Sequence, residues 1–277
     1  MKRPARWPRA RAALLVAVIG AVSGGCTSTS TSVKNGVPVG EVKDRITASD
    51  EPDASRRARV RMELAGAYFE RGQLTTALDE VKLAIIADPN LSSAFNLRGL
   101  IYAGLGDEVL AEDSFRRALQ IDARDPDVMH NFGWYQCQRK RYAEANALFN
   151  QALALPQYRD ATRTLLAQGV CQARAGQLSE AEANLQRSYD LDPSNPATAV
   201  NLSEVLYRRG EFERARFFIR RVNAAPALSS AQTLWLAARI EIRAGNRTAA
   251  NEFGLQLRNR FPQSRETAAF DRGQFDD

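Results

Sequence analysis

The sequence predicts an all-α fold in which a unit of two helices is repeated along the chain to form a solenoid. Three observations predict it: small and apolar residues recur every 34 to 36 positions, glycine recurs at one site in most periods, and proline follows several of them. A pair of helices cannot bury its apolar face alone. Neighbouring pairs must therefore share one continuous core.

The clearest copy of the repeat spans residues 92–125. Its marker residues are Gly99, Tyr102, Gly106, Ala111, Phe115 and Ala118. Residues of similar character stand 34 positions earlier, and they recur after further steps of 34, 36, 34 and 35 positions. The sequence predicts a repeat region over 55–264 and a C-terminal tail over 265–277. The six copies have bounds of about 58–91, 92–125, 126–159, 162–195, 196–229 and 231–264.

The marker residues fit a pair of closely packed helices. Small side chains at the sites of Gly99 and Ala111 allow the two helices to approach, and Phe115 fills the space between them. Glycine after the first helix suits a left-handed backbone. Proline cannot continue a helix, so it ends the second one. The glycines are Gly72, Gly106, Gly176, Gly210 and Gly245, and the prolines are Pro89, Pro193 and Pro262.

This pattern resembles the tetratricopeptide repeat. The resemblance implies a right-handed superhelix whose concave groove is lined by the first helix of each copy, at about its second, fifth, ninth and twelfth places. An apolar groove suits an amphipathic helix or an extended peptide with hydrophobic anchors. Met and aromatic residues at helical spacing are also typical of a core. The candidate groove residues are Met62, Phe69, Asn96, Leu100, Ala103, His130 and Trp134.

The N-terminus has the layout of a targeting segment. Basic residues up to Arg11 precede an apolar run over 12–22, which is too short for a membrane-spanning helix of roughly 20 residues. We predict a signal peptide over 1–25. The small residues before Cys26 resemble a bacterial lipobox, although Ser23 stands where Leu is usual. Acylation of Cys26, for example by palmitate, is the expected outcome, and ordinary cleavage that leaves a free thiol is the alternative. The Ser- and Thr-rich segment 26–54 is predicted to be a tether.

Charge and motifs argue against several classes of function. The net charge is +6, but five basic residues lie in the first 25 positions, so the remainder has 33 basic and 32 acidic side chains. A nearly neutral chain gives no electrostatic reason to expect nucleic acid binding. His130 is the only histidine, and no nucleophile elbow, phosphate loop or dinucleotide fingerprint occurs. We therefore expect a protein that binds other proteins, without catalysis, metal, cofactor or small-molecule substrate.

Two cysteines lie within the predicted repeats. Cys137 falls on the first helix of copy three and Cys171 on the first helix of copy four, and these helices should be neighbours. In an oxidising compartment the two residues could form a disulfide. The alternative is a pair of buried thiols that pack as small hydrophobic groups.

Several features together resemble one family, the type IV pilus biogenesis lipoproteins PilF and PilW. They are the lipobox-like Cys26, the tether, and the strings HNFGWYQCQRKRYAEA over 130–145 and LLAQGVCQARAGQ over 165–177. The resemblance implies a pilotin: a lipoprotein on the periplasmic side of a Gram-negative outer membrane that binds the pilus secretin and promotes its multimerisation. The alternatives are an adaptor in outer-membrane protein assembly or peptidoglycan enzyme scaffolding, and a non-catalytic helper of a periplasmic hydrolase.

Overall fold

The computed structural model describes residues 53–275, and it confirms the all-α prediction. Within this range it contains thirteen helices and no strand. Residues 1–52, with the signal peptide, Cys26 and most of the tether, lie outside the described residues, as do 276–277. The helices are α1 (Asp53–Glu70), α2 (Leu74–Ala87), α3 (Ser92–Leu105), α4 (Glu108–Ile121), α5 (Pro126–Gln138), α6 (Tyr142–Leu153), α7 (Ala161–Arg174), α8 (Leu178–Leu191), α9 (Pro196–Arg208), α10 (Phe212–Asn223), α11 (Ala231–Arg243), α12 (Arg247–Arg260) and α13 (Arg265–Asp271).

The first twelve helices form six consecutive pairs, from α1 with α2 to α11 with α12. Each first helix contacts the first helix of the next pair, whereas no two second helices of the described chain pack against each other. The first helices therefore converge while the second helices diverge. This difference makes the first helices the concave side of the solenoid.

In the second and third pairs a glycine on the first helix faces a large aromatic residue on the second. A Cβ atom added to Gly99 would lie 2.8 Å from the ring of Phe115, and one added to Gly133 would lie 2.9 Å from the ring of Phe149. These separations are well below the roughly 3.5 Å at which carbon atoms pack favourably. Both aromatic rings are fully buried. The absence of a side chain at these glycines therefore provides the space that the facing ring fills.

The first and sixth pairs fill the same sites with different residues. In the first pair Ala65 stands at the site of Gly99, and Val81 stands at the site of Phe115. Both are fully buried. In the sixth pair, Gly254 stands at the site that Phe115 occupies in the second, and the ring of Phe270 from α13 fills the vacated space. The short helix α13 thus completes the core of the last pair.

The ends of the helices follow from their flanking residues. Pro89 lies two residues beyond the end of α2, as the sequence predicts for helix termination. Lys140 adopts a positive φ of 61° at the site where the other copies have glycine, so the third pair keeps this backbone without the residue that suits it. The five predicted glycines have φ between 73° and 82°.

The first helix is longer than its repeat register. α1 begins at Asp53, so Asp53 and Ala54, which the sequence places in the tether, belong to the helix. No helix within residues 53–275 combines the length and apolar character needed to cross a membrane.

Gly99→Ala is expected to lower the free energy of unfolding by about 1–3 kcal/mol, because its methyl group overlaps the Phe115 ring and a filled core resists added volume. Thermal or denaturant unfolding measures the change. Gly66→Ala in α1 is the matched control, because a Cβ atom there meets nothing within 4 Å. The control should stabilise the protein by about 0.5–1 kcal/mol. Equal effects of the two substitutions would contradict the packing explanation.

Candidate functional site

The concave side carries a cavity of about 410 Å³, called the central pocket, between α5, α7 and α9. One wall is formed by His130 and Trp134 of α5, and α7 supplies the floor. The pocket combines apolar side chains with two arginines, which gives it both hydrophobic anchors and positive charge. Its lining residues are His130, Trp134, Arg163, Leu166, Ala167, Val170, Arg174 and Asn201.

His130 is a neutral, fixed element of this pocket. Burial, and to a lesser degree the nearby positive charge of Arg163, lowers the pKa of His130 to about 4, while Asp160 opposes the shift. The imidazole is therefore uncharged at neutral pH. Its Nδ1 atom lies 2.8 Å from Oγ1 of Thr164, which in turn lies 2.6 Å from the hydroxyl of Tyr158. Thr164 is fully buried, so this network links α5, α7 and the preceding loop and presents no nucleophile to solvent.

Trp134 forms the most extended apolar surface of the pocket. Its indole ring is partly buried, and the guanidinium of Arg174 lies 5.1 Å from the ring centroid. This distance suits a cation–π interaction. The arginine thus holds the ring in place while both groups remain accessible from the groove.

A disulfide lies behind the central pocket. Cys137 and Cys171 are bonded in the structure, with their Cα atoms 5.7 Å apart, and both residues are buried. Trp134 and Ala167, one helical turn earlier on the same two helices, pack against this cysteine cluster. The bridge therefore sets the spacing of α5 and α7, the two helices that supply most of the pocket.

The candidate residues in the first two pairs lie apart from the central pocket. Met62 and Phe69 are partly buried and pack against the core shared by α1, α2 and α3. Leu100 and Ala103 pack against the next cluster, which contains Phe115. These four residues contribute to the core as well as to the first-helix surface.

The polar candidate in this half of the chain is Asn96. Its side-chain oxygen accepts a hydrogen bond of 3.2 Å from the amide of Asn131, across the contact of α3 with α5. Of the seven candidates, the structure brings only His130 and Trp134 together with a described cavity.

The sequence-based selection missed the residues of α7. Arg163, Leu166 and Val170 occupy the second, fifth and ninth places of copy four, the same places that identified His130 and Trp134 in copy three. The repeat register therefore contained the signal that finds them.

A second cavity of about 570 Å³ lies at the long connection between α6 and α7. Its walls include Asp127 and Tyr158. Burial raises the pKa of Asp127, and Arg163, 3.6 Å away, partly opposes this shift. Burial also raises the pKa of Tyr158. Six of its nine lining residues, 155–160, belong to this connection.

Within residues 53–275, no group of three His, Cys, Asp or Glu side chains is arranged to bind a metal ion. The central pocket is lined by apolar side chains and by the guanidiniums of Arg163 and Arg174.

The chain is similar to tetratricopeptide-repeat proteins and to a type IV pilus assembly protein. Tetratricopeptide-repeat family models match residues 92–125, 131–196 and 172–235. The type IV pilus assembly protein PilF of Pseudomonas aeruginosa is 26% identical over 218 residues, which cover 79% of this chain and 85% of that protein.

Two solved structures are similar over most of their length. PilW, described as a widely conserved type IV pilus biogenesis factor, is 31% identical with a TM-score of 0.72, over 77% of this chain and 97% of PilW. The structure of Pseudomonas aeruginosa PilF has a TM-score of 0.69 at 23% identity, over 80% of this chain and 100% of that chain. At 23% identity, the similarity to the PilF structure shows a shared fold.

The disulfide gives a direct prediction. In the Cys26→Ser variant, unfolded without reductant, no thiol should react with a thiol reagent, and two should react after reduction. Reduction should also lower the free energy of unfolding by about 3–4 kcal/mol, since the closed loop spans 34 residues. Two reactive thiols before reduction would show that Cys137 and Cys171 are free.

Proposed function

Because this chain belongs to the tetratricopeptide-repeat family of type IV pilus biogenesis proteins that includes PilW and PilF, we propose that it is a pilotin. In this proposal it is a non-enzymatic lipoprotein, anchored through Cys26 in the outer membrane and facing the periplasm. It binds the pilus secretin and promotes its localisation and multimerisation there. The observation that carries the proposal is the similarity to PilW along nearly the whole of that protein.

The central pocket is the proposed contact for the secretin. Trp134, Leu166 and Val170 are partly buried, so each is held by the solenoid and still offers apolar area to a ligand. Such residues act as anchors for a helix or an extended peptide laid along a groove. Met62, Phe69, Asn96, Leu100 and Ala103 extend the proposed surface along the first helices of the N-terminal pairs.

The disulfide and the packing of the solenoid make this surface rigid. A preformed groove loses little conformational entropy when a ligand binds, so more of the contact energy appears as affinity. The bridge between α5 and α7 holds the two walls of the central pocket at a fixed spacing. This arrangement supports binding without a large rearrangement of the repeat region.

The lipid would anchor the complex in the outer membrane. Acyl chains each contribute about 0.8 kcal/mol per buried methylene, and two or more chains give stable anchoring. Secretin subunits bound to an anchored protein are concentrated at one membrane surface, and this raises the rate of their assembly. Binding and anchoring are thus separate properties, and each can be removed alone.

The groove assignment predicts that Leu166→Gln with Val170→Gln weakens capture of the secretin about tenfold or more, because buried anchors dominate the affinity of such interfaces. Quantitative pull-down from solubilised membranes measures the change, with the melting temperature recorded for each variant. The matched control is Ile86→Gln with Val109→Gln, since these side chains are 75% and 79% exposed on second helices. Secretin capture that is equal in the two double variants would refute the groove assignment.

The lipid address is tested by Cys26→Ala. The variant should fold normally but leave the secretin multimers depleted from the outer-membrane fraction, because the protein has lost its anchor. Membrane fractionation followed by detection of heat-stable multimers measures the change. Ser28→Ala, two positions along the tether, should leave them in place. Multimers of unchanged amount and location in the Cys26 variant would rule out this role of the lipid.

A further inference from the structure

We infer that three arginines on the concave side, Arg174, Arg208 and Arg239, form a site for an acidic, extended segment of a partner protein. They lie on α7, α9 and α11, and they are called the arginine row. The site shares Arg174 with the central pocket, so it rests on the proposed function and deepens it by naming the chemistry of the bound segment. Its test uses designed peptides and does not depend on the identity of the secretin.

The charge of this half of the concave side is the first reason. The helices α7, α9 and α11 carry five arginines and two glutamates. Glu241 is buried and pairs with Arg216 and Arg220 of α10, at 2.9 and 2.6 Å. Arg163 pairs with Asp127, and Arg243 is engaged in a further interaction, so the charge of the site is that of Arg174, Arg208 and Arg239. Glu204 is the only other carboxylate on these three helices.

Each member of the row is held by the preceding first helix. Arg174 stacks on Trp134 of α5. Arg208 donates a hydrogen bond of 2.9 Å from Nη1 to the carbonyl oxygen of Ala173. These contacts involve a ring face and a neutral carbonyl, so they orient the guanidiniums without neutralising them.

Arg239 completes the row. Its guanidinium lies 4.7 Å from the ring centroid of Tyr207, and its buried Nε atom has no hydrogen-bond acceptor. Together with Arg208, Arg239 lines a cavity of about 380 Å³ beside Phe212. An anionic side chain entering this cavity would find a charged wall next to aromatic faces.

The arginines of α10 show that acidic partners are available elsewhere in this part of the solenoid. Ion pairs connect Arg214 with Glu182, and Arg216 with Glu213. By contrast, no member of the arginine row forms an ion pair with a carboxylate within residues 53–275. Apart from Glu204 and Glu241, the acids of helices α7 to α12 lie on the second helices or in the connections, away from the row. A partner with negative charge is therefore the complementary ligand.

The geometry favours a peptide over a compact anion. Three adjacent first helices, packed about 10 Å apart, place the outer members of the row about 20 Å from each other. An extended chain rises about 3.3 Å per residue, so some six residues span the row, whereas a single phosphate reaches one member. The apolar wall of Trp134, Leu166 and Val170 beside the row accepts hydrophobic residues between the acidic ones.

The tail of the chain marks the end of this surface. Phe275 stacks on Trp235 of α11 with ring centroids 5.3 Å apart, and its carbonyl accepts a hydrogen bond from the hydroxyl of Tyr207. The tail thus covers the groove at Trp235. The partner segment is placed between Trp134 and Arg239.

Fluorescence anisotropy with designed peptides tests the site on the purified full chain. The probe is a labelled peptide of about 12 residues in which Glu alternates with Leu, long enough to exceed the span of the row. Its control has Gln in place of every Glu. At about 50 mM salt the Glu peptide should bind at least tenfold more tightly, and the ratio should fall at about 300 mM salt because charges are screened. Equal affinities at low salt would overturn the proposal without any variant.

Two triple variants with the same change in net charge test whether the arginine row causes the preference for the Glu peptide. Arg174→Gln, Arg208→Gln and Arg239→Gln together should abolish the preference for the Glu peptide. The control changes Arg71, Arg187 and Arg247 to Gln; these are exposed arginines outside the row, and their loss alters the net charge equally. The control should retain the preference. Equal loss in both triples would overturn the proposal, as would stronger competition by an oligothymidine of about 12 nucleotides than by the Glu peptide.

Discussion

The contact between a small and a large residue inside each helix pair is the constraint on which the solenoid depends. Where glycine faces Phe115 or Phe149, the two helices approach until the ring fills the space that the missing side chain leaves. Where alanine takes the small site, as at Ala65, the facing residue shrinks to Val81. The pairs stack in series, and the convergence of their first helices produces a continuous concave side.

The concave side is where the chain departs from simple repetition. The packing sites recur in every copy and carry no information about a ligand. The groove-facing places vary, and in copies three to six the concave side collects an indole, a neutral histidine, aliphatic side chains and the three guanidiniums of the arginine row. The disulfide between Cys137 and Cys171 stiffens the junction at which this surface begins. A rigid scaffold with a variable, unpaired inner surface has the physical character of a binding protein.

The 34-residue period was enough to predict the helix pairs and the tetratricopeptide fold, and the structure confirms both. The family was predicted from Cys26, the tether and the strings over 130–145 and 165–177, and the comparisons confirm it. The five turn glycines could also be predicted, because a left-handed backbone at one position favours glycine whatever the rest of the fold is. The insertion of Phe270 beside Gly254 was not predictable, since α13 lies outside the period and its partner is known only in three dimensions. The location of the central pocket likewise depends on contacts between copies. Arg163, Leu166 and Val170 stand at groove-facing places of the repeat. Only the three-dimensional structure shows that they line one cavity with Trp134.

The central claim is that the concave side of the solenoid binds the pilus secretin. Site-specific photo-crosslinking in cells that assemble pili tests it most directly, with a photoreactive residue placed at Val170 in the central pocket or at Val109 on the outer helix α4. Mass spectrometry identifies the protein captured from each position. Secretin is expected to be crosslinked from Val170 and not from Val109. Capture of secretin from Val109 alone, or of a different protein from Val170, would contradict it.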